Sequence, residues 1–451
     1  MSYKKDITGL DVTVLGAGLS GVSIALLARR LGARVFVSDA GGISDRAAAS
    51  LGSAGIEYEQ GGHTERSMAA DVIVVGSGFP PDAPVIGMLA DRGVVPVGEL
   101  DFVMPHITSR VIGVTGSNGK TTTTSLIGHL IRSCGVKCAA AGNIGSPIAD
   151  FAGSDCGYIA LELSSFQLHW AESIVLAGAA VTNLAPDHID WHGSYEKYAA
   201  AKAKILTFAE GGFTILQRRD AGALRASGTN ARYLEWDSRS DDSITLDHGE
   251  RAAFMSGSKL FDFDETKLIG SHNMENTAMA MAAVRMLGLD ETAARDSLPS
   301  YEAPPHRCSL VLSKGGVRYI DDSKGTNIAA SVTAMSSIEG PHIVILGGRG
   351  KGEDYSSLAG PLKKYAKHAL LIGEESGAMA SILSGVGYGS FTEARDMENA
   401  VRAAVCMARP GDSVLLSPAC TSWDAYANYK ERGDHFASLV LRYAGGEYDV
   451  R

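Results

Sequence analysis

Several short segments of this 451-residue chain hold residue types whose spacing suits phosphate and carboxylate chemistry. One is Gly113-Val-Thr-Gly116-Ser117-Asn118-Gly119-Lys120-Thr121-Thr122, set between a β-type run and a helical pattern. Glycines at such a turn let backbone N–H groups face an anion at a helix N-terminus. The helix dipole contributes only about 0.3–1 kcal/mol. A triphosphate therefore calls for Lys120 on its oxygens and a metal ion on the Thr121 hydroxyl. The strict form G-x-x-x-x-G-K-[ST] needs glycine at 114, where the chain has valine, so the match fails by one residue.

A second segment is Gly16-x-Gly18-x-x-Gly21, following the strand-like run 11–15, with Asp39 closing the next run. It fits a dinucleotide fingerprint. By itself it allows three readings: NAD, a uridine nucleotide on the same scaffold, or close helix–strand packing. A dehydrogenase has no need of a second phosphate loop at Lys120. The pair of loops therefore favours a nucleotide-bearing substrate together with ATP.

Other candidates sit just past predicted strands, where α/β sheets collect ligands. Glu162 ends one such run, and a carboxylate there can hold Mg²⁺. His188, in Asn183-Leu-Ala-Pro-Asp-His188-Ile-Asp190, offers a metal ligand or a base. Lys202 and Lys204 read locally as a solvated helix face. Further on stand His306-Arg307, then Asp321-Asp322-Ser-Lys324-Gly-Thr326-Asn327, then Gly347-Gly-Arg-Gly-Lys351-Gly352. Each combines cations, hydroxyls or backbone donors suited to an anionic group. Each could also be an ordinary polar turn.

The elements that must carry these residues alternate between short β-rich runs and helical patterns, which implies βαβ units and parallel sheets. Strands are expected at 11–15, 34–38, 71–75, 110–114, 158–162, 179–183, 317–320, 342–346, 368–372 and 412–417. Helices are expected from the first glycine loop to 31, then at 119–134, 195–208 and 273–287, the last with Ser271 as its cap. Residues 218–260 read as loops and edge strands. The fold class is α/β with three domains: a Rossmann-like domain at 1–98, a central P-loop-type ATPase domain with a mainly parallel sheet at 99–303, and a Rossmann-like domain at 304–451.

Composition excludes other classes. Hydrophobic residues make up 45% and charged residues 20%, as in globular proteins and unlike disordered chains, collagens or coiled coils. A net charge of −10 argues against nucleic acid as a partner. The six cysteines form no CxxC pair and read as free thiols of a reducing compartment. Neither a signal-peptide pattern nor a membrane span is apparent, so the expectation is a cytoplasmic protein without a membrane partner. The 53 glycines are about 12% of the chain against a usual ~7%. The turns named above hold many of the surplus.

Taken together, in order and spacing, these motifs resemble the Mur ligase family, ATP-dependent amide-bond-forming enzymes of peptidoglycan assembly. The resemblance runs the length of the chain. It rests on Gly116-Ser-Asn-Gly-Lys120-Thr121, Gly142-Asn143-Ile-Gly145, Glu162-Leu-Ser-Ser-Phe-Gln167, Asn183 to Asp190, Ser271-His-Asn273, His306-Arg307, Asp322-Ser-Lys324-Gly-Thr326-Asn327 and Ser417-Pro-Ala-Cys420. Ser164-Ser-Phe-Gln167, Ser417 to Asp424 and Arg432-Gly433 are most similar to the branch that uses D-glutamate.

The resemblance implies UDP-N-acetylmuramoyl-L-alanine, D-glutamate and ATP as partners of a monomer. It turns the reading of the first glycine loop from NAD to UDP. By position it implies that Gly116, Ser117, Asn118, Gly119, Lys120, Thr121, Thr122, Asn276, Arg307 and Asp322 serve ATP. Thr121, Glu162, His188 and Lys202 would serve two Mg²⁺ sites, with Lys202 carbamoylated into an oxygen ligand. Lys120, Glu162, His188 and Lys202 would be the catalytic set. Leu19, Ser20, Asp39, Gly78, Asn143 and His188 match the UDP-substrate pocket. Lys324, Thr326, Lys351, Ser422, Trp423 and Tyr429 match the D-glutamate pocket. Trp423, Tyr426 and Tyr429 depart from the leucine and phenylalanines usual there. A nicotinamide oxidoreductase and a non-catalytic nucleotide-binding protein are the contrasting readings. A folylpolyglutamate-type ligase would lack the full block at 11–97.

Overall fold

The computed structural model describes residues 6–225, 231–238, 240 and 242–445. Its strands form where apolar runs are covered on both faces. Tyr158–Glu162, Gly178–Val181 and His342–Gly347 are buried at every position, the pattern of central strands in parallel sheets.

The described residues form three sheets. The first orders Glu57–Gln60, Arg34–Asp39, Asp11–Leu15, Val72–Val75 and Val97–Gly98, all parallel. The second orders Ser258–Asp262, Ala252–Met255, Ser243–Asp247, Ala231–Trp236, Phe213–Gln217, Gly178–Val181, Arg110–Thr115, Tyr158–Glu162 and Cys138–Gly142. It is parallel except for the antiparallel pairings of Ala252–Met255 with its two neighbours. The third orders Ser309–Lys314, Val317–Asp321, Ser413–Leu416, His342–Gly347, Ala366–Ile372 and Phe391–Arg395, antiparallel only at its first pair.

The sequence pattern passes over six strands. Five of them, Glu57–Gln60, Val97–Gly98, Cys138–Gly142, Ser309–Lys314 and Phe391–Arg395, lie at sheet edges, where a strand needs no continuous apolar run. Glu57–Gln60, for example, is mostly exposed. The sixth, Phe213–Gln217, is an interior strand. Ser271 is not a cap. The helix Ser271–Met286 begins on it, after Gly270 at φ +95°.

Packing divides the chain into two compact units, one with residues to 265 plus Asn276–Pro299, the other with Thr266–Glu275 plus residues from 300. The first unit holds two sheets because one apolar cluster spans them. It runs from Val12, Ile24 and Leu27 through Leu100 and Phe102 to Val111, Leu161 and Ala179. Among the described residues no helix is long and apolar enough to cross a membrane.

Candidate active site

Arg110–Thr115 lies between Tyr158–Glu162 and Gly178–Val181, with Val114 opposite Glu162 and Thr115 opposite Val181. The turns leaving the carboxyl ends of these strands are therefore neighbours, the place where such sheets bind ligands. Gly116 opens one turn at φ +139°, and a Cβ there would stand 2.0 Å from Thr182 Oγ1. Gly119, at φ +82°, precedes the helix Lys120–Ser133, and its Cβ would meet Asn276 Oδ1 at 2.4 Å. Asn183 braces the turn. Its carbonyl accepts the Ser117 N–H at 2.9 Å, and its Oδ1 accepts the Asn118 N–H at 2.9 Å. Asn276 accepts from Thr123 Oγ1 at 3.1 Å. Thr121 and Thr122 are both buried in the helix's first turn.

Two ammonium groups converge on this turn. Lys120 Nζ donates to the carbonyls of Gly116 and Ser117, each at 2.8 Å. Lys202 Nζ donates to the same Gly116 carbonyl at 2.8 Å. Lys202 lies on the helix Tyr195–Phe208, is 2% exposed, and sits 4.8 Å from the Tyr198 ring centroid. Burial, and then the neighbouring Lys120, push its pKa well below 10.5, while Asp187 and Glu162 pull the other way. Lys204 faces elsewhere, toward the carbonyls of His169 and Ala171. Glu162 is 1% exposed and accepts from Asn143 Nδ2 at 3.2 Å. His188 takes a left-handed φ of 53° and packs edge-on against Phe166 with centroids 4.7 Å apart.

The first glycine loop sits at the end of Asp11–Leu15. Asp39 takes the Ala17 N–H at 2.6 Å and the Gly41 N–H at 2.8 Å, so its carboxylate holds the turn in shape. Leu19 is 61% exposed, Ser20 half-buried and Gly78 exposed. These are surfaces open to a ligand rather than core.

In the second unit Asp322 is buried. It accepts from Ser417 Oγ at 2.7 Å and from the Cys308 N–H at 3.3 Å. Burial raises its pKa to about 7 against the pull of Ser417 and Arg307. Arg307 stands between two residues of positive φ, His306 at 66° and Cys308 at 47°, a costly backbone that tends to occur at functional sites. His306 Nδ1 meets Asp321 Oδ2 at 2.7 Å. Lys324 Nζ lies 4.9 Å from the Tyr429 ring centroid, and Thr326 N–H donates to the Lys324 carbonyl at 2.9 Å. Reciprocal backbone bonds between Arg349 and Thr421, at 3.0 and 2.9 Å, join the turn of Lys351 to that of Ser422 and Trp423. Ser422 is buried, Lys351 exposed, and Trp423 65% exposed.

Some contributors escaped the sequence reading. Asp187 is an acid with a side chain only 10% exposed, within electrostatic reach of Lys202. The quoted run Asn183 to Asp190 contained it without singling it out. Tyr198 meets Ser117 Oγ at 2.7 Å. Arg432, 1% exposed, donates to Ser323 Oγ and to the carbonyls of Ser323, Cys420 and Thr421, holding three turns together. Nothing local marks a helix arginine for that task.

A phosphate turn braced across the strand ends of a mainly parallel sheet, with the buried Lys202 and Glu162 beside it, defines a nucleotide-dependent ligase architecture. The family models agree. Mur ligase middle domain matches residues 114–284, the Mur ligase glutamate ligase domain 306–420, and the MurD N-terminal domain 11–85. The chain belongs to the Mur ligase family, and its three family domains lie on α/β sheets that are mainly parallel. It is 36% identical over 450 residues to the UDP-N-acetylmuramoylalanine–D-glutamate ligase of Pelotomaculum thermopropionicum, covering 97% of this chain and 98% of the relative. It is 35% identical over 462 residues to the ligase of the same name from Chlorobaculum parvum, covering 97% and 98%. Among solved structures it resembles a pseudomurein peptide ligase type C from Methanothermus fervidus, with TM-score 0.59, 17% identity and coverage of 90% and 96%. It also resembles a UDP-N-acetylmuramate–alanine ligase from Thermotoga maritima, with TM-score 0.58, 16% identity and coverage of 97% and 99%. At those identities the structures share the fold.

Proposed function

We propose that this chain joins D-glutamate to UDP-N-acetylmuramoyl-L-alanine at the expense of ATP, in peptidoglycan precursor synthesis, as a cytoplasmic monomer. The observation that carries the reading is the convergence of Lys120 and Lys202 on the Gly116 carbonyl, with Glu162 and Asp187 in electrostatic reach of Lys202. A simple phosphate-binding turn has no use for a second, buried lysine. The domain limits we assign are 1–98 for the UDP substrate, 99–303 for ATP and 304–451 for the amino acid.

The reaction has two steps. A substrate carboxylate oxygen attacks the ATP γ-phosphorus, and ADP leaves. The amine of D-glutamate then attacks the acyl-phosphate carbon, the tetrahedral intermediate expels phosphate, and the nitrogen loses its proton. In this reading Lys120 and the first turn of Lys120–Ser133 hold the transferring phosphoryl group by preorganised charge. Asn276, Arg307 and Asp322 hold the rest of ATP. Leu19, Ser20, Asp39, Gly78, Asn143 and His188 hold the UDP substrate. Lys324, Thr326, Lys351, Ser422, Trp423 and Tyr429 hold D-glutamate. Water must be kept from the acyl phosphate, which hydrolysis would waste.

Among the described residues no cluster of three or more His, Cys, Asp and Glu side chains is gathered for a metal. That fits Mg²⁺, which binds through one or two carboxylates plus substrate phosphates. Thr121 and Glu162 would hold one ion, and His188 with a carbamoylated Lys202 a second. Bound Mg²⁺ supplies neutralisation of the phosphoryl charge. The lowered pKa of Lys202 favours a neutral amine, the form whose nitrogen attacks CO₂ with loss of a proton to give the carbamate.

The test is phosphate release from ATP across a panel of D- and L-amino acids. Release is expected only with UDP-N-acetylmuramoyl-L-alanine and D-glutamate together. Equal release without the amino acid, or with L-glutamate, refutes the assignment.

A further inference from the structure

Between the first two sheets runs a seam with one buried acid that none of the roles above uses. Glu99 is 3% exposed. Its Oε1 accepts from Gln167 Nε2 at 2.5 Å, and its Oε2 accepts the Ser77 N–H at 3.3 Å. Gln167 is itself fully committed. It is the third residue of the short helix Ser165–Trp170, and its Oε1 accepts the Ser164 N–H at 2.9 Å while Ser164 Oγ accepts the Gln167 N–H at 3.1 Å. The Gln167 amide therefore has one orientation, oxygen to Ser164 and nitrogen to Glu99.

The ends of this chain of hydrogen bonds matter. Ser77 lies in the turn 76–79 beside Gly78, assigned above to the UDP substrate. Ser164 lies two residues beyond Glu162, assigned to the metal. The seam is tight around it. Trp170 Nε1 donates to the Phe79 carbonyl at 3.0 Å, and a Cβ on Gly98 would stand 2.3 Å from the Trp170 carbonyl oxygen. Apolar packing alone could close such a seam, and burying a carboxylate there is expensive. Burial does raise the Glu99 pKa, against the pull of its donors from Gln167 and Ser77. What a carboxylate supplies that apolar packing cannot is two fixed acceptors, aimed at two different segments.

We propose that Glu99 is a positioning residue for the ligase reaction, clamping the 76–79 turn of the UDP-substrate domain to the segment that follows Glu162. The proposal rests on the function proposed above. The two sides of the clamp make it testable by exchange. Glu99→Gln keeps only one acceptor, so its amide nitrogen must oppose either the Gln167 amide nitrogen or the Ser77 N–H, and Gln167→Glu leaves two carboxylates facing each other. Glu99→Gln with Gln167→Glu restores the set. In that double variant the carboxylate now at position 167 accepts from the Ser164 N–H and from the amide nitrogen at position 99. The amide oxygen at position 99 accepts from the Ser77 N–H.

The experiment measures kcat and the KM of each substrate in the full-length wild type, both single variants and the exchange. Each single variant is expected to raise the KM for UDP-N-acetylmuramoyl-L-alanine about tenfold and lower kcat by a similar factor. The KM for D-glutamate, held by the other unit, should stay within about twofold. The exchange should recover both parameters to within about threefold of wild type. A purely structural seam would lower the melting temperature and leave the KM values together. Single variants equal to wild type, or an exchange no better than the worse single, overturn the proposal. Wild type without D-glutamate-dependent phosphate release refutes the ligase reading instead. Titration of the four proteins with UDP then decides the clamp, which predicts weaker binding in the singles and recovery in the exchange.

Discussion

Replacing Lys202 by methionine should stabilise this protein while abolishing its turnover. Lys120 Nζ and Lys202 Nζ each lie 2.8 Å from the Gly116 carbonyl oxygen, so they are no more than about 5.6 Å apart. Two unit charges at that distance repel by about 3 kcal/mol at an effective dielectric of ~20. Folded Lys202 bears that cost either as repulsion and a buried ammonium or, once neutral, as the work of giving up its proton, and Lys202→Met removes it in both cases. Against this stand two lost hydrogen bonds, one to the Gly116 carbonyl that Lys120 still serves and a longer one to Thr115 Oγ1 at 3.4 Å, together worth about 1–2 kcal/mol. The net expectation is a gain of about 1–3 kcal/mol. For a unit of roughly 290 residues with an unfolding entropy of ~2.1 cal/mol/K per residue, that is about 2–5 °C. The assay is thermal unfolding in carbonate-free buffer, which keeps the lysine unmodified, beside phosphate release from ATP. pH sharpens the test. The folded lysine holds its proton less tightly than the unfolded chain does. Wild-type stability therefore rises with pH from the lowered value up to 10.5, and is lost as pH falls through the lowered value. The advantage of Lys202→Met should thus be largest at neutral pH and fade toward 10.5. A lower melting point in the variant, or retained turnover, would show that Lys202 is a structural anchor of the turn and refute the reasoning.

Gly116→Ala should abolish turnover and cost about 2–5 kcal/mol, since its Cβ meets Thr182 Oγ1 at 2.0 Å on a backbone of φ +139°. Urea unfolding and phosphate release measure both effects, and near-wild-type values would mean that the turn is free to move. Asp322, with its pKa raised to about 7 by burial, contributes stability that is full below 3.8 and lost as pH rises through about 7. The wild-type urea midpoint of the second unit should therefore fall between pH 5 and pH 8 by more than that of Asp322→Asn. Equal slopes would remove Asp322 from the buried set.

What the sequence determines here is local. Gly116-Ser-Asn-Gly-Lys120-Thr121 is legible because a strand, a turn and a helix start occur in one continuous stretch. The central strands are legible because residues buried on both faces leave an unbroken apolar run. Asp39 could be singled out because it closes a strand at a standard distance from the first glycine loop. Edge strands were not legible, since half-exposed residues such as Glu57–Gln60 carry no run.

Glycine shows the limit of local reading. The surplus suggests turns that approach anions. Yet a Cβ on Gly347 would stand 1.9 Å from the Ile372 carbonyl oxygen, and one on Gly348 would stand 2.2 Å from that of Thr421. Those glycines are required by the approach of other strands and turns, whatever ligand lies nearby.

The tertiary structure alone decided which charged groups meet. Lys202 read as a solvated helix face by its own neighbours, and only the family resemblance drew attention to it. Its burial against Gly116 follows from how the helix Tyr195–Phe208 packs on the sheet, 86 residues along the chain from the carbonyl it serves. Glu99 and Gln167 are 68 residues apart, and Arg432 and Ser323 are 109 apart. Hydrogen bonds and electrostatic costs depend on distance in space, and sequence patterns report it only within a turn or two of the chain. The sequence therefore determined the class of chemistry and the main elements. The fold decided which acids and lysines must share a buried site, and hence which of them can be tested for a role.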